Sequence, residues 1–309
     1  MLYFIVNPNS RCGKGERVWK RLKRHLEFTG VAYEAYVTEG QGDARTFASH
    51  LTEGNKEPKI IVTVGGDGTI NEVLDGLSFG GPVTLGYIPA GSGNDLARSL
   101  GLPKNPKKCL KKILSPQYHK LLDYGVLTYG KEEVHHRRFM VSAGIGFDAA
   151  VCHNLHYSKT RRFLNKIHMG RLSYVLVGLK QLAQARPAKG YLLLDGVQKV
   201  ELNHIYFISS HIHPYEGGGF KFAPRADAAD GQLTVCVMHH SSKAKLLPIL
   251  ADALFKKRNK KYKGMRNYNC REVVIHTERP MAVHVDGESC FCQQDLEIRC
   301  IPKKIRMIV

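Results

Sequence analysis

The stretch from Lys59 to Glu72, KIIVTVGGDGTINE, constrains the fold more than any other. Its first six residues form an apolar, β-branched run, which reads as a buried strand. The run stops at Gly65-Gly66-Asp67-Gly68-Thr69, and Asn71 onward reads as a helix start. A strand, a glycine-rich turn and a helix N-terminus together aim backbone N–H groups at an anion. Glycine lets that anion approach the main chain closely. Asp67 inside the nest makes sense against phosphate when a Mg²⁺ ion lies between them.

The neighbouring segments repeat the pattern. Leu2 to Val6 is a short apolar strand ending at Asn7-Pro8-Asn9-Ser10-Arg11-Cys12-Gly13-Lys14-Gly15. Ala32 to Val37 ends at Thr38-Glu39-Gly40, and Val83 to Ile88 ends at Pro89-Ala90-Gly91-Ser92-Gly93-Asn94-Asp95. Helical patterns follow: Glu16 to Phe28, with Val18, Trp19, Leu22 and Leu26 on one face; Asp43 to about Leu51; a short helix to Leu100; and Pro103 to Leu114. Strands alternating with helices specify a parallel sheet covered on both faces. Such sheets bind ligands at the carboxyl ends of their strands. The loops at 7–15, 38–43, 65–71 and 89–95 are therefore expected to converge.

From Lys120 the texture changes to short strand-like segments. They are Leu121 to Tyr129, Phe139 to Ala143, Tyr191 to Leu194, Ile205 to Ser209, Leu233 to Met238, Val273 to His276 and Met281 to Val285. Helical patterns interrupt them at Arg171 to Ala185 and Ser242 to Lys257. The fold class expected is α/β: an N-terminal parallel-sheet α/β domain over residues 1–125, then a mostly-β sandwich domain over 126–299.

Composition narrows the function. With 309 residues the chain has room for two domains, and its net charge of +19 implies an acidic partner: nucleic acid, anionic membrane or polyphosphate. No apolar run approaches the ~20 residues of a membrane span. The opening Met1-Leu-Tyr-Phe-Ile-Val reads as a strand rather than a secretory signal, so a cytoplasmic location is expected. The eight cysteines contain no CxxC and are read as reduced thiols, with Cys290 and Cys292 on one face of a strand. His135-His136, His211 with His213, and His239-His240 are read as surface or hydrogen-bonded histidines. The chain has no GxxxxGK[ST], no GxGxxG in its first βα turn, no HExxH and no GxSxG, which disfavours P-loop, Rossmann, zincin and α/β-hydrolase chemistry.

Taken together, these motifs resemble the bacterial diacylglycerol kinase-like lipid kinases, relatives of the sphingosine and ceramide kinases. The resemblance runs in order along the chain. It is carried by Val6-Asn7-Pro8-Asn9-Ser10, by Gly65-Gly66-Asp67-Gly68-Thr69-Ile70-Asn71-Glu72, and by Pro89-Ala90-Gly91-Ser92-Gly93-Asn94-Asp95-Leu96-Ala97-Arg98. Ala143-Gly144-Ile145-Gly146-Phe147-Asp148, Asp230-Gly231-Gln232-Leu233 and Asp286-Gly287-Glu288 complete it.

That resemblance implies a phosphofructokinase/NAD kinase-like first domain, completed by the tail 300–309. It places ATP against Asn7, Pro8, Asn9, Ser10, Arg11, Thr38, Gly65, Gly66, Asp67, Gly68, Thr69, Ile70, Asn71 and Ser92. Arg11 stands where the family usually has glycine. Asp67 and Asp95 are implied to organise the catalytic Mg²⁺, and Glu288 to be the general base. Asp227, Asp230 and Gln232 match a loop that holds a structural Mg²⁺ in the family. Their spacing also suits one hard cation bound by carboxylate and carbonyl oxygens. A homodimer is suggested as well.

Read without the resemblance, Asp286-Gly287 and Asp230-Gly231 are equally good hairpin-turn signals. Lys14 and Arg17 suit either a phosphate or a solvated helix face. The basic runs Lys159 to Arg162 and Lys256 to Lys263 suit a solvated face or, given a lipid substrate, peripheral contact with the inner membrane surface. The expectation is an ATP- and Mg²⁺-dependent kinase acting on diacylglycerol or a related lipid and feeding phospholipid metabolism. Two other readings stand beside it: a soluble-substrate kinase of the NAD kinase type, and a non-catalytic nucleic-acid-binding protein that keeps the fold. No helix-turn-helix or RNA-binding aromatic pattern supports the last.

Overall fold

The computed structural model describes residues 1–157, 178–240, 242–255 and 264–309. Both basic runs, Lys159 to Arg162 and Lys256 to Lys263, lie outside the described residues, as do residues 171–177 of the helix expected over Arg171 to Ala185. The chain forms two compact units: Met1–Leu122 with Lys303–Val309, and Asp123–Pro302.

The first unit is an α/β layer. Strands β1 (Leu2–Val6), β2 (Tyr33–Val37), β3 (Lys59–Gly65) and β4 (Val83–Pro89) pair in parallel in the order β2-β1-β3-β4. Parallel strands need crossovers, here helices α1 (Ser10–Thr29), α2 (Asp43–Thr52) and α3 (Asp67–Gly76). The tail returns beside β4, with Arg306 opposite Thr84 and Met307 opposite Leu85. Val18, Trp19, Leu22 and Leu26 of α1 are buried against Phe4, Val62 and Val64. Trp19 sits 5.1 Å from Phe4 and edge-on to Tyr33 at 5.9 Å between ring centroids. Gly30 ends α1 in a left-handed conformation at φ 66°, a stop that glycine makes cheap. Two shorter helices follow, α4 (Asp95–Ser99) and α5 (Pro106–Leu114). Asn105 caps α5 by accepting the Lys107 N–H at 2.9 Å.

Helix α3 begins at Asp67, four residues before the expected start. Gly66 is extended and its carbonyl accepts from the Thr69 and Ile70 N–H groups, so the motif itself supplies the first helical turn.

The second unit is mostly antiparallel β. Its strands are β5 (His119–Tyr129), which begins in the first unit, β6 (His135–Phe139), β7 (Ser142–Gly146), β8 (Ala188–Leu194), β9 (Gln198–His211), β10 (Leu233–His239), β11 (Met265–Cys270), β12 (Glu272–Val285) and β13 (Glu288–Ile308). The order is β11-β10-β9-β7-β12-β13, with β8 joined to β9 and β12, and β5 to β6. Helix α6 (Phe147–Tyr157) follows β7, and α7 (Leu247–Phe255) follows β10 after a 3₁₀ turn over Lys243–Leu246.

Three expectations change here. The strand expected from Phe139 to Ala143 is instead a break between β6 and β7. The N–H groups of Met140, Val141 and Ser142 all turn to the Asp286 carboxylate, at 2.8, 2.9 and 2.9 Å. The segments at Val273 to His276 and Met281 to Val285 are one strand, β12, with a register shift between His276 and Met281. Cys290 and Cys292 are not on one face: Cys290 is buried and Cys292 exposed. Phe291 between them adopts φ 60°, which breaks the two-residue alternation.

Candidate active site

In the first unit, four loops at the carboxyl ends of the strands are tied together by hydrogen bonds. The Thr38 N–H donates to the Val6 carbonyl at 2.9 Å, and the Asn7 N–H to the Val64 carbonyl at 2.9 Å. Asn7 Nδ2 donates to Thr69 Oγ1 at 3.1 Å. The Ala90 N–H donates to the Gly65 carbonyl at 2.6 Å, and the Gly42 N–H to Glu72 Oε2 at 3.1 Å. Asn7, Thr38, Gly65 to Asn71 and Ser92 therefore share one edge of the sheet, because consecutive parallel strands end side by side.

Two glycines permit the tightest of these approaches. A Cβ on Gly91 would lie 2.5 Å from Gly66 Cα, and one on Gly66 would lie 3.1 Å from Gly91 Cα. The β3–α3 and β4–α4 turns thus cross backbone against backbone. Asn94 holds its turn from within, donating through Nδ2 to the Gly91 carbonyl at 3.0 Å.

The first loop departs from a plain helix start. Within α1, Arg11, Cys12 and Gly13 have φ of 46°, 53° and 81°. Arg11 holds the left-handed conformation natural to glycine. Lys14 is partly buried beside Arg11 and Arg17. Burial, and then the repulsion of those two guanidinium groups, lowers its pKa below the usual lysine value. Three cations crowded at one loop leave an unbalanced positive site beside Asn7 to Ser10, which suits an anion.

Asp67 does more than face a ligand. Its Oδ2 accepts the Asp95 N–H at 3.0 Å and its Oδ1 the Leu96 N–H at 3.2 Å. Asp95 is buried and paired with the Arg98 guanidinium, whose Nη2 also donates to the Gly93 carbonyl at 3.1 Å. Tyr87 is buried behind them. Burial pushes its hydroxyl pKa well up, and Asp67 and Asp95 add to the effect. A hydrated cation held through its waters fits this pair of acids, in keeping with the reluctance of Mg²⁺ to dehydrate.

In the second unit, Asp286-Gly287 is a hairpin turn with φ of 46° and 86°, joining β12 to β13 at the Val285–Glu288 pair. Positive φ at both central residues is the type I′ pattern. Asp286 is more than a turn residue: it receives the three N–H groups at Met140 to Ser142. Burial pushes it up to about 6 despite those bonds. Glu288 pairs with Arg137, Oε2 to Nη2, at 2.9 Å, with side chains only 16% and 19% exposed. Sequence reasoning missed Arg137; an Arg-Arg pair in a strand carries no signal of a partner 151 residues away.

In the loop of Asp227, Asp230 and Gln232, the two carboxylates cap their own loop: Asp227 Oδ1 accepts the Ala229 N–H and Asp230 Oδ1 the Gln232 N–H. The buried Asp123 joins them by accepting the Gly231 N–H at 2.7 Å. Partial burial raises the Asp230 carboxyl, opposed by the Gln232 N–H and reinforced by Asp227 and Asp123. A hard cation would relieve that crowding, so the loop fits one. Asp123 was also missed, lying in an apolar strand with no flanking glycine.

Among the described residues, the His, Cys, Asp or Glu group whose ligand atoms gather within 4.8 Å lies elsewhere. It is Asp148, Glu216 and His284, all buried. The sequence signals for it are faint: Asp148 closes the Gly144 to Phe147 segment, and Glu216 precedes three glycines.

Two family models match the chain: the diacylglycerol kinase catalytic domain over residues 1–124, and the YegS C-terminal NAD kinase beta sandwich-like domain over residues 140–309. A diacylglycerol kinase of Mycobacterium tuberculosis is 27% identical over 306 residues, covering 98% of this chain and 93% of that protein. A diacylglycerol kinase of Bacillus subtilis is 27% identical over 290 residues, covering 92% and 88%. A crystal structure of a diacylglycerol kinase from Bacillus anthracis superposes with a TM-score of 0.72 at 20% identity, over 99% of this chain and 96% of that one.

Proposed function

The chain belongs to the family that joins a diacylglycerol kinase catalytic domain to a YegS C-terminal beta sandwich-like domain, and on that premise we propose that it is an ATP- and Mg²⁺-dependent lipid kinase. The acceptor is the hydroxyl of diacylglycerol or a related lipid. The observation that carries this reading is the interlocked floor of Asn7, Thr69, Gly66, Gly91 and Asp67 beside the cations of the first loop. Phosphoryl transfer asks a protein for positioning and charge neutralisation rather than covalent chemistry.

Each group has a role its contacts support. Backbone N–H groups of the glycine turns cradle phosphate oxygens, and Lys14 offsets their charge. Asp67 fixes the β3–α3 turn against the β4–α4 turn. Glu288 takes the proton of the acceptor hydroxyl, and its ion pair with Arg137 fixes the direction of the carboxylate. A bound Mg²⁺ would supply neutralisation of the charge on the phosphate groups. Asp67 and Asp95 would hold its waters, and Asp227, Asp230 and Gln232 would hold a structural ion.

No helix among the described residues is long and apolar enough to cross a membrane. We infer a peripheral encounter with an anionic bilayer, supported by the net charge of +19; each lysine near such a surface contributes about 1 kcal/mol. Vesicle binding should rise with anionic lipid content and fall with salt.

Labelled-ATP transfer to a panel of diacylglycerol, monoacylglycerol, sphingoid bases and NAD tests the assignment. Wild type should label one lipid class, and Asp67→Ala and Glu288→Gln should lose most of it. Labelling of NAD alone would move the chain to the soluble-substrate kinases.

A further inference from the structure

The turn that leads into Glu288 is held from two sides. Asp286 supplies one. Its carboxylate receives the N–H groups of Met140, Val141 and Ser142, and its own N–H donates to the Ser142 carbonyl at 2.8 Å. His284 supplies the other: the Gly287 N–H donates to its Nδ1 at 3.3 Å. Asp286 sits in the left-handed region at φ 46°, which an L-residue enters at a cost. The bonds on either side of it offset that cost and keep the turn in form.

His284 is buried within β12, opposite Gly144 of β7. A Cβ on Gly144 would stand 2.8 Å from His284 Nε2 and 2.5 Å from Asp148 Oδ2. The missing side chain is what lets the ring and the acid meet. Nε2 lies 3.3 Å from Asp148 Oδ2 and 3.4 Å from Glu216 Oε1. A backbone N–H can only donate, so Nδ1 is the acceptor and the ring proton sits on Nε2, facing both carboxylates. The acids thus fix the tautomer, and the tautomer leaves Nδ1 a lone pair for the turn. Burial resists charge on the ring, but Cys152, Asp148 and Glu216 draw a further proton to it. On Nδ1 that proton would meet the Gly287 N–H donor to donor. Asp148 takes it more readily in this geometry, because burial raises its carboxyl. Its Oδ1 is buried with no hydrogen-bond partner, a position where charge is costly. Glu216 keeps its charge, with His211 Nε2 3.4 Å from its Oε2.

We propose that His284 is a positioning residue for Glu288: through Nδ1 it holds Gly287, the residue before Glu288, and Asp148 with Glu216 keep it in the tautomer that can do so. Without that bond the turn shifts, and the Glu288 carboxylate leaves the line on which it takes the acceptor proton. The consequence for transfer rests on the kinase reading; the hold on Gly287 does not.

Two amide side chains separate the two ends of the ring. Asn Oδ1 stands as many bonds from Cα as Nδ1, so His284→Asn keeps an acceptor for Gly287 and gives up the acids. Gln reaches the Nε2 position, so His284→Gln keeps a donor to the acids and gives up Gly287. On the lipid that wild type labels, His284→Gln should lose about tenfold or more in kcat with KM for ATP unchanged. His284→Asn should recover most of that loss. Urea midpoints should run the other way, with His284→Gln the more stable, because His284→Asn leaves two buried acids without their partner. A side chain that merely filled the core would make activity follow stability. Hydrogen exchange at the Gly287 amide reads the hold without catalysis. It should be about tenfold faster in His284→Gln, the effect of one hydrogen bond, and near the wild-type rate in His284→Asn. In wild type itself, nitrogen-15 spectra of labelled histidines should show His284 protonated at Nε2 and bare at Nδ1, a result that stands even if a variant does not fold. Activity that follows stability, an equal rise in KM for ATP, equal Gly287 exchange in all three proteins, or a proton on Nδ1 would overturn the proposal. If wild type phosphorylates no lipid, the kinase reading falls, and the Gly287 exchange and the ring tautomer decide whether His284 holds the turn.

Discussion

Asp67 holds two consecutive backbone N–H groups, those of Asp95 and Leu96, one on each carboxylate oxygen, at 3.0 and 3.2 Å. Asp95, the second acid of the site, is thereby positioned by the first. The two motifs that carry them are 28 residues apart and function as one piece of structure.

Replacing Asp67 should damage both stability and transfer. Asp67→Asn keeps one oxygen but turns an NH₂ toward an N–H, leaving a donor unsatisfied. We expect a loss of about 1–3 kcal/mol in urea unfolding, with transfer lowered at least as much as unfolding alone explains. Asp67→Ala should abolish transfer while the fold persists. Normal stability in Asp67→Asn would mean that these bonds are dispensable.

The Gly66–Gly91 crossing gives a steric prediction. In Gly91→Ala the new methyl would meet Gly66 Cα at 2.5 Å and Asn94 Oδ1 at 2.9 Å. The backbone must part, at a cost of about 1–3 kcal/mol, and nucleotide affinity should fall. Equilibrium dialysis with ATP and thermal unfolding read the two effects separately. Unchanged values for both would show that the turns have room to separate.

Arg137 should matter to turnover more than to nucleotide binding. Arg137→Met leaves Glu288 half-buried without its guanidinium. Turnover should fall by roughly tenfold, part of the ~10²–10⁴-fold that general acid–base catalysis supplies, with KM for ATP unchanged. Arg137→Lys should recover part of the rate, because it restores charge without the planar fork. An equal rise in KM for ATP would place Arg137 in nucleotide binding instead.

Glu216 gives a pH signature. Burial alone raises its carboxyl, but His284 and His211 outweigh burial and bring it from the ordinary 4.5 to about 2. A carboxyl lowered by folding contributes stability that is complete above pH 4.5 and is lost as pH falls from 4.5 toward 2. Wild type should therefore be more stable than Glu216→Gln at pH 7, with the gap closing across that acid window. Urea midpoints at a series of pH values would measure it. A gap that stays constant would show that Glu216 gains nothing from its histidines.

The repeated strand–turn–helix pattern was legible because it is local. Apolar runs of strand length, a stripe at Val18, Trp19, Leu22 and Leu26, and turns of Gly, Asn and Asp each declare themselves within a few residues. The second unit was less legible. Its long strands β9, β12 and β13 carry bulges and polar residues that divide the hydrophobic signal into shorter pieces. Phe291 is exposed at φ 60°, and nothing in the alternation around it predicts the reversal that separates Cys290 from Cys292.

What the sequence determined by itself was the order of elements in the first unit, the α/β class, and the kinship written in the Asp67, Asp95 and Glu288 motifs. Those depend on residue types at fixed short spacings. What only the tertiary structure decided was which group each acid meets: Asp67 the N–H groups of Asp95 and Leu96, Glu288 the guanidinium of Arg137, Asp286 the break after Phe139, and Asp148 a histidine 136 residues away. A hydrogen bond depends on distance and direction to within fractions of an ångström. Contacts that fine are fixed only when sheet register and helix packing have brought distant segments together, and no local pattern in the chain records them.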